Sequence, residues 1–299
     1  MIVPVTELEF QKGKAVFESV EGVEFVSTPA DEAALAAFIK QAACRAAVLG
    51  VTAYNGALYR ALPAGSILLR FGVGTDSLDF AQIKARGLLV ANTPGALDRS
   101  VAEHTIFLIG ALLRKISQGD RALKAGQWVP QVGNELAGLK LAVIGLGRIG
   151  YQVARIAHAG FGARILVGEI DSEEDVAARL GVSLEQLRRE IGYSLWHSEF
   201  EKVLPQADIV CAHLPLNVNT RHIFDAHAFG LFKPGALFVN TARGGLVDEA
   251  ALATALREGR LGSAAAVEQA LKDFAGRFGM EAAETVKGYG DVDFDALSD

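Results

Sequence analysis

Three glycines near the middle of the chain have the spacing of a dinucleotide-binding loop. Gly145, Gly147 and Gly150 lie in the segment AVIGLGRIGYQVARIAHAGFGARILVGEI, residues 142–170. An apolar run precedes them, a helical pattern follows, and the next apolar run ends at Glu169. In this motif the first glycine permits a tight turn, the second lets the backbone approach a pyrophosphate, and the third lets the helix pack on the strand.

Glu169 indicates which dinucleotide the loop would bind. Its carboxylate would accept hydrogen bonds from the adenosine ribose hydroxyls and would repel a 2′-phosphate. The segment EIDSEED carries no arginine to offset this charge, so NAD is favoured over NADP. Backbone N–H groups at the start of the helix, where Arg148 and Ile149 lie, would face the phosphates. The alternative, a glycine turn without a ligand, fits the strand–loop–helix–acid context less well.

The composition limits the class of protein. The chain has 299 residues, 51% of them apolar, which is enough for one large domain or two ordinary ones. A net charge of −6 without a basic stripe argues against nucleic-acid binding. No apolar run reaches the ~18 residues of a membrane span, and the start MIVPVTELEF does not resemble a signal peptide. Cys44 and Cys211 are far apart in sequence, and we expect buried thiols in a cytoplasmic protein.

Apolar runs alternate with helical patterns along both halves of the chain, which predicts parallel α/β sheets. The strand candidates of the first half are MIVPV, VEFV, AAVLG, SILLR and GLLVANTPG, with DEAALAAFIKQA as a helix. Those of the second half are KLAVIGLG, ARILVGEI, ADIVCAHLP, GALFVNTA and LGSAAAV. The segment DSEEDVAARLGVSLEQLRREIGYSLWHSEFEKVL predicts one or two helices that end at Gly181 and Gly192.

A long helix is predicted between the two halves. It would begin at Ser100, with Glu103 completing a capping box, and continue through VAEHTIFLIGALLRKISQGDRALKAG. Its first half is largely apolar, so we expect it to be buried, between domains or between subunits.

Several blocks together resemble the D-isomer-specific 2-hydroxyacid dehydrogenase family, which includes the phosphoglycerate dehydrogenase-like enzymes. They are FGVGTDSLD (71–79), ARGLLVANTPG (85–95), SVAEHTIFLIGALLR (100–114), LAVIGLGRIG (141–150), DIVCAHLPLNVNTRHIF (208–224) and LFKPGALFVNTARGGLVDEAAL (231–252). They follow the order and spacing of the family, and the resemblance covers residues 45–265.

The resemblance implies two doubly wound parallel-sheet α/β domains. A flavodoxin-like substrate domain would span residues 1–95, a Rossmann NAD-binding domain 96–265, and a divergent helix and tail 266–299. In family enzymes the cleft between the domains closes over a small 2-oxo or 2-hydroxy acid, which is the expected substrate. The family also implies a homodimer formed through the region of the long helix.

The resemblance also assigns candidate site residues. Arg243 in NTARGG matches the catalytic arginine, whose planar fork would hold the substrate carboxylate and keto oxygen. An arginine on a surface loop is the alternative, but the position just beyond a strand favours a ligand contact. Val73 and Gly74 match a loop whose N–H groups contact the substrate carboxylate, and an ordinary turn explains them equally well.

Further residues would line the cofactor. His213 and Pro215 match a cofactor-lining segment, and Thr241 and Ala242 precede Arg243 in the block NTARGG. A histidine in such a strand is more often packed than a proton donor, so His213 is not assigned a catalytic role. Glu103 and His104, from the helix block, are interpreted as structural.

The chain departs from the family in its proton-transfer residues. The family has a glutamate in a D-V-x-x-x-E-P-like segment and a histidine in a T-P-H segment, and neither is present. Val267 stands at the position of an aspartate that contacts the nicotinamide, and Lys272, beside Asp273, stands at the glutamate position. No histidine follows His227, and the apolar spacing from Val267 onward predicts a helix instead of a catalytic loop.

The leading hypothesis is an NAD-dependent oxidoreductase of the 2-hydroxyacid type with a degenerate proton relay. His197, His222 and His227 remain in the sequence, but each is expected to be solvated. The alternatives are a non-catalytic NAD(H)-binding protein for sensing or assembly, and a dehydrogenase whose carboxyl-terminal segment has been truncated or altered.

Overall fold

The computed structural model describes residues 1–266 and 285–286. The chain divides into two compact units, Met1–Leu97 and Asp98–Asp299. Both have the parallel α/β architecture expected from the alternation of apolar runs and helical patterns. Within the described residues, no helix has both the length and the apolar content needed to span a bilayer.

The first unit is a five-stranded parallel sheet flanked by helices. Its elements are β1 (Ile2–Thr6), α1 (Glu7–Ser19), β2 (Glu24–Thr28), α2 (Glu32–Gln41), β3 (Ala46–Leu49), α3 (Ala57–Ala61), β4 (Ile67–Arg70), α4 (Phe80–Ala85) and β5 (Leu89–Ala91). The strand order is β2-β1-β3-β4-β5, the order of flavodoxin-like folds, which confirms this part of the predicted fold class.

The second unit contains a larger parallel sheet. Its elements are α5 (Asp98–Leu113), α6 (Ile116–Lys124), β6 (Lys140–Ile144), α7 (Arg148–Phe161), β7 (Arg164–Gly168), α8 (Glu173–Leu180), α9 (Leu184–Ile191), β8 (Leu195–His197), β9 (Ile209–Ala212), α10 (Ala226–Leu231), β10 (Ala236–Asn240), α11 (Glu249–Arg257), β11 (Leu261–Ala266) and β12 (Thr285–Val286). The order β12-β11-β10-β9-β6-β7-β8 contains the doubly wound arrangement of a Rossmann fold, as predicted.

The central strands of this sheet are buried on both faces, which explains their unbroken apolar sequences. In β6, Leu141 and Val143 join one core cluster, whereas Ala142 and Ile144 join the cluster on the opposite face. This alternation follows from the two-residue period of a strand. The paired cores hold β6 rigidly, so the loop that follows Ile144 starts from a fixed point.

The prediction of one long helix is wrong. The first helix, α5, ends at Leu113, and Lys115 adopts a left-handed conformation with φ 54° before α6 begins. The buried face of α5 packs against α7 within its own unit, whereas no residue of α6 is buried. The apolar stripe that would hold a continuous helix against the unit therefore stops with α5.

The predicted capping box is also wrong. The first helix begins at Asp98, so Ser100 lies inside its first turn. Glu103 accepts a hydrogen bond from Arg99 Nε at 2.7 Å, one turn earlier, which is the helical i,i+4 pairing.

The segment that begins DSEEDVAARL forms two helices, which is one of the two arrangements predicted for it. The hydroxyls of Ser172 and Ser183 cap α8 and α9, and left-handed Gly181 and Gly192 end them. The short edge strand β8, which follows these helices, was not predicted. Its sequence LWH is too short to show an alternating pattern.

Candidate functional site

Two of the three motif glycines are required by the fold itself. Gly145 has φ 91°, and a Cβ atom there would lie 3.0 Å from the main chain of His213. A Cβ at Gly150 would lie 2.2 Å from the carbonyl oxygen of Gly145, so α7 could not pack against the loop. Both glycines therefore belong to the strand–loop–helix geometry.

Gly147 is different, because the fold does not require a glycine there. Its φ is −73°, and a Cβ atom would meet no atom within 4 Å. The residue is the N-cap of α7, so the open space lies over the N–H groups and the positive dipole end of that helix. We call this open space the cradle. Any side chain at residue 147 would fill it, and without one a pyrophosphate can approach the helix start closely.

The loop lies where the direction of winding in the sheet reverses. Strands β6 and β9 are neighbours, and the chain order runs outward from them in both directions. His213 follows β9 and donates its N–H to the carbonyl of Ile144 at 2.8 Å, so the two strand ends are joined beside the loop. Ligands of open α/β sheets bind at this switch point, outside the carboxyl ends of the strands.

Glu169 follows β7 and is bonded to the glycine loop. Its side chain is 8% exposed, and Oε2 accepts the N–H of Leu146 at 2.8 Å. The other oxygen, Oε1, accepts the N–H of Asp171 at 3.3 Å, a longer and weaker bond. The loop and the acid are therefore one connected unit, with Oε1 the less engaged of the two oxygens.

An arginine lies beside Glu169, contrary to the expectation from EIDSEED. Arg179, near the end of α8, places Nη2 3.2 Å from Glu169 Oε2, and its Nη1 contacts Asp171 Oδ2. The helix α8 folds back over the end of β7, so an arginine outside the segment reaches the acid. The expectation that no arginine offsets the charge of Glu169 considered only residues close to it in sequence, and it is wrong.

Arg148, between the second and third glycines, is also paired. Its Nε lies 2.5 Å from Oδ2 of Asp98, the first residue of α5. Most of the Arg148 side chain is exposed, whereas Asp98 is buried. Ile149 is partly buried against the core below the loop. The pair joins the amino-terminal ends of α5 and α7 and leaves part of the guanidinium accessible.

His213 is held as a neutral imidazole. Its Nε2 is buried and has no hydrogen-bond partner among the residues that the structure describes. Burial lowers the pKa of His213 to about 4, because a charged ring would lose its hydration. The structure thus places His213 beside the glycine loop in an uncharged form, and Pro215 lies exposed beyond it.

The loop after β10 carries the candidate arginine. The Asn240 side chain donates from Nδ2 to the carbonyl of Arg243 at 2.8 Å and accepts the N–H of Ala242 on Oδ1 at 3.0 Å. The hydroxyls of Thr241 and Thr105 lie 2.8 Å apart, which connects the loop to α5. The Arg243 guanidinium donates to the carbonyl of Ala242 at 2.8 Å. The sequence reasoning missed Asn240, although a polar residue that ends a buried strand was a usable signal.

Val73 and Gly74 lie in the first unit, in the loop after β4. The Asn92 side chain donates to the carbonyl of Val73 at 2.8 Å, and Val73 itself is exposed. Arg70, the last residue of β4, is buried below this loop and donates to the carbonyl of Phe71. A cation that ends an apolar strand is unusual, and the sequence reasoning overlooked Arg70.

The second unit brings most of the predicted site residues to one edge of its sheet. The glycine loop, Glu169, His213 and the loop of residues 241–243 follow β6, β7, β9 and β10, which are adjacent strands. The predicted substitutions at Val267, Lys272 and Asp273 lie outside the described residues.

The remaining candidate histidines lie elsewhere. His197 ends the edge strand β8 and is partly buried, and its Nδ1 accepts the N–H of Glu199 at 3.0 Å. His222 and His227 are exposed, as predicted. His104 is partly buried on α5, and burial lowers its pKa.

A cavity of about 420 Å³ lies at the opposite edge of the same sheet. Asp208, Gly235 and Gly262, which line it, stand at the amino-terminal ends of β9, β10 and β11. The cavity is therefore separate from the glycine loop and from Arg243, which lie beyond the carboxyl ends of the strands. In the described part of the chain, no group of three or more His, Cys, Asp or Glu side chains could hold a metal.

Residues 106–267 match the family described as D-isomer specific 2-hydroxyacid dehydrogenase, NAD binding domain. The matched range contains the glycine loop, Glu169, His213 and Arg243.

Curated relatives are similar over most of this chain. D-3-phosphoglycerate dehydrogenase of Mycobacterium leprae is 38% identical over 220 residues, 73% of this chain and 39% of the relative. Glyoxylate reductase of Korarchaeum cryptofilum is 34% identical over 213 residues, 69% of this chain and 60% of the relative. The similarity therefore spans less than two fifths of the M. leprae enzyme's length.

Solved structures share the fold. A D-lactate dehydrogenase from Aquifex aeolicus complexed with NAD and lactic acid has a TM-score of 0.75 at 22% identity, covering 95% of this chain and 87% of that one. The apo D-lactate dehydrogenase from Escherichia coli has a TM-score of 0.76 at 23% identity, covering 96% and 89%. At these identities the likeness concerns the fold alone.

Proposed function

Because the chain belongs to the D-isomer-specific 2-hydroxyacid dehydrogenase family, we propose that it transfers a hydride between NAD(H) and a small 2-oxo or 2-hydroxy acid, with a weakened proton relay. The observation that carries this proposal is the open cradle at Gly147. The fold leaves room for a side chain at that position, and the absence of one leaves the N–H groups of the helix start open to the close approach of a ligand. Under this proposal residues 1–95 act on the substrate and 96–265 bind NAD.

The cofactor contacts come from residues at one sheet edge. N–H groups at the start of α7 bind the pyrophosphate, and the exposed part of Arg148 adds positive charge beside them. Glu169 binds the adenosine ribose through Oε1, the less engaged oxygen. When bound, the nicotinamide ring supplies or accepts the hydride. The neutral ring of His213 and the hydroxyl of Thr241 line the adjoining segment of the site.

The substrate contacts come from an arginine and from backbone donors. Arg243 binds the carboxylate and the keto oxygen of the acid through its planar fork, and Asn240 fixes the main chain on which it stands. In the first unit, considered by itself, the N–H groups of Val73 and Gly74 are the proposed donors to a substrate carboxylate.

The proton relay limits the rate. Reduction of a ketone requires a proton donor at the carbonyl oxygen, and a well-placed general acid contributes about 10²–10⁴-fold. No histidine occurs between residues 228 and 299, and the family resemblance, aligned from Arg243, puts Val267 and Lys272 at two positions where acids are expected. Turnover is therefore slow, while cofactor binding is retained because its contacts lie elsewhere.

We also propose a cytoplasmic homodimer. Phe107 on α5, together with Trp128 and Val132 in the segment after α6, expose large apolar side chains on the second unit. Such a surface favours association with a second copy. Cys44 and Cys211 are free, buried thiols in different units, which suits a reducing compartment.

The test is NADH oxidation with a panel of 2-oxo acids such as pyruvate, glyoxylate and hydroxypyruvate. We expect slow turnover, well below ~10 s⁻¹, that disappears in Arg243→Ala. The control is Arg260→Ala, which removes an exposed arginine that donates to the carbonyl of Gly230, near the amino-terminal ends of the strands. Fast turnover would contradict the weakened relay, and unchanged turnover in Arg243→Ala would contradict the role of Arg243. No oxidation of bound NADH with any acid would contradict the oxidoreductase proposal.

A further inference from the structure

We propose that Arg179 sets the selectivity between NAD and NADP by partly neutralising the two carboxylates that surround it, Glu169 and Asp171. The inference rests on the proposed NAD site and adds a specificity-determining residue to it. Arg179 lies outside the loop, strand end and helix start that form the usual dinucleotide contacts.

The geometry makes the three side chains one charged group. The Arg179 guanidinium reaches Glu169 through Nη2 at 3.2 Å and Asp171 through Nη1. Glu169 in turn accepts the N–H of Leu146 in the glycine loop. A change in the charge of Arg179 therefore changes the electrostatic potential at the end of β7, where the adenosine ribose would bind.

The formal charge of this group is −1, from two carboxylates and one guanidinium. The neighbouring first turn of α8 adds Glu173, Glu174 and Asp175, and only Glu173 has an arginine partner, Arg188, among the described ion pairs. The surroundings are acidic as well, so a 2′-phosphate is disfavoured in the wild-type protein. Arg179 reduces this repulsion without reversing it.

Arg179 can also contact a ligand directly. Its side chain is 45% exposed, whereas that of Glu169 is 8% exposed, so the guanidinium is the more accessible partner. A guanidinium binds phosphate through the same parallel donors that it now directs at the carboxylates. Removing the carboxylates would therefore leave a cation positioned for a 2′-phosphate.

The experiment is a charge series in the full chain, with the dissociation constants of NADH and NADPH measured by calorimetry. The group carries −2 in Arg179→Ala, 0 in Glu169→Gln, and +1 in the Glu169→Gln, Asp171→Asn double variant. We expect the NADPH affinity to rise about tenfold for each positive step at low salt, and the steps to shrink at high salt. Adding Arg179→Ala to the double variant should cancel its gain in NADPH affinity. Adding Arg179→Lys to the double variant instead should retain most of that gain, because the positive charge is kept.

The matched control is Arg188→Ala. Arg188 lies on α9, is more than half exposed and pairs with Glu173 of α8. The substitution therefore removes one arginine and one ion pair from the same pair of helices. Its NADPH-to-NADH affinity ratio should change less than threefold. If Arg179→Ala leaves this ratio unchanged, or if the gain in the double variant survives without Arg179, the inference is wrong. Failure of the wild-type protein to bind NADH would instead contradict the proposed function.

Discussion

Asn240 is hydrogen-bonded through both ends of its side-chain amide to the loop that ends at Arg243. Nδ2 lies 2.8 Å from the carbonyl oxygen of Arg243, and Oδ1 lies 3.0 Å from the nitrogen of Ala242. Asn240 is buried, and its two bonding partners, the carbonyl of Arg243 and the N–H of Ala242, are partly buried. The side chain thus determines the main-chain path from which the Arg243 guanidinium projects.

Asn240→Ala should weaken both stability and substrate binding. The carbonyl of Arg243 and the N–H of Ala242, which are partly buried, would each lose a hydrogen bond worth about 0.5–1.5 kcal/mol. We expect lower stability in urea denaturation and a higher KM for the 2-oxo acid, with the NADH dissociation constant nearly unchanged. Asn219→Ala, at an exposed asparagine in the loop after β9, is the control. Equal stability of Asn240→Ala and wild type would refute the role of the two bonds.

His213 should make the apo protein sensitive to acid. Its pKa is lowered from 6.5 to about 4 by burial, so below pH 6.5 the unfolded state binds a proton that the folded state does not. Stability contributed by the neutral ring is present above pH 6.5 and is lost as the pH falls toward 4, by up to about 3 kcal/mol. Urea denaturation of wild type and His213→Gln between pH 4 and 7 measures the difference.

The pH dependence of the difference is the informative quantity, because His213→Gln also changes packing at every pH. The gap between the two proteins should narrow or reverse as the pH falls below 6.5. His227→Gln, at an exposed histidine, should follow the wild-type curve. Parallel curves for wild type and His213→Gln would show that the ring is not held neutral.

The homodimer should depend on the apolar side chains exposed around α5 and α6. Light scattering of the wild-type protein at micromolar concentration should give twice the chain mass of 31.7 kDa. Phe107→Asp and Trp128→Ser should shift the mass toward the monomer, because each removes apolar area from the proposed interface. Val218→Ser, at an exposed valine in the loop after β9, should remain dimeric. A monomeric wild-type protein would exclude this assembly.

The sequence predicts the fold class well, because local rules determine the buried strands. Uninterrupted apolar runs mark β6 and β9, and the glycine spacing marks the turn between β6 and α7. The family resemblance and both strand orders agree with those predictions.

The features that the sequence did not predict have a common physical reason. The break at Lys115 depends on where the unit stops offering an apolar surface to α5, which the helix's own sequence does not show. The approach of Arg179 to Glu169 depends on how α8 folds back over the sheet. The bonds of Asn240 depend on the path of the loop after β10. Each feature depends on tertiary packing, which the periodicity of apolar residues and the spacing of motifs do not reveal.

The central claim, that the glycine loop binds NAD, is tested most directly by calorimetric titration of Gly147→Val with NADH. The fold has open space for a side chain at Gly147, so the variant should fold, with urea denaturation detecting no more than the ~1 kcal/mol that valine costs at a helix N-cap. Gly160→Val is the matched control, since Gly160 lies on the same helix and an added Cβ there also meets nothing within 4 Å. We expect one NADH site per wild-type chain, unchanged affinity in Gly160→Val, and a loss of at least about 100-fold in Gly147→Val, roughly 2.7 kcal/mol. Equal NADH affinity in a folded Gly147→Val protein would contradict the account.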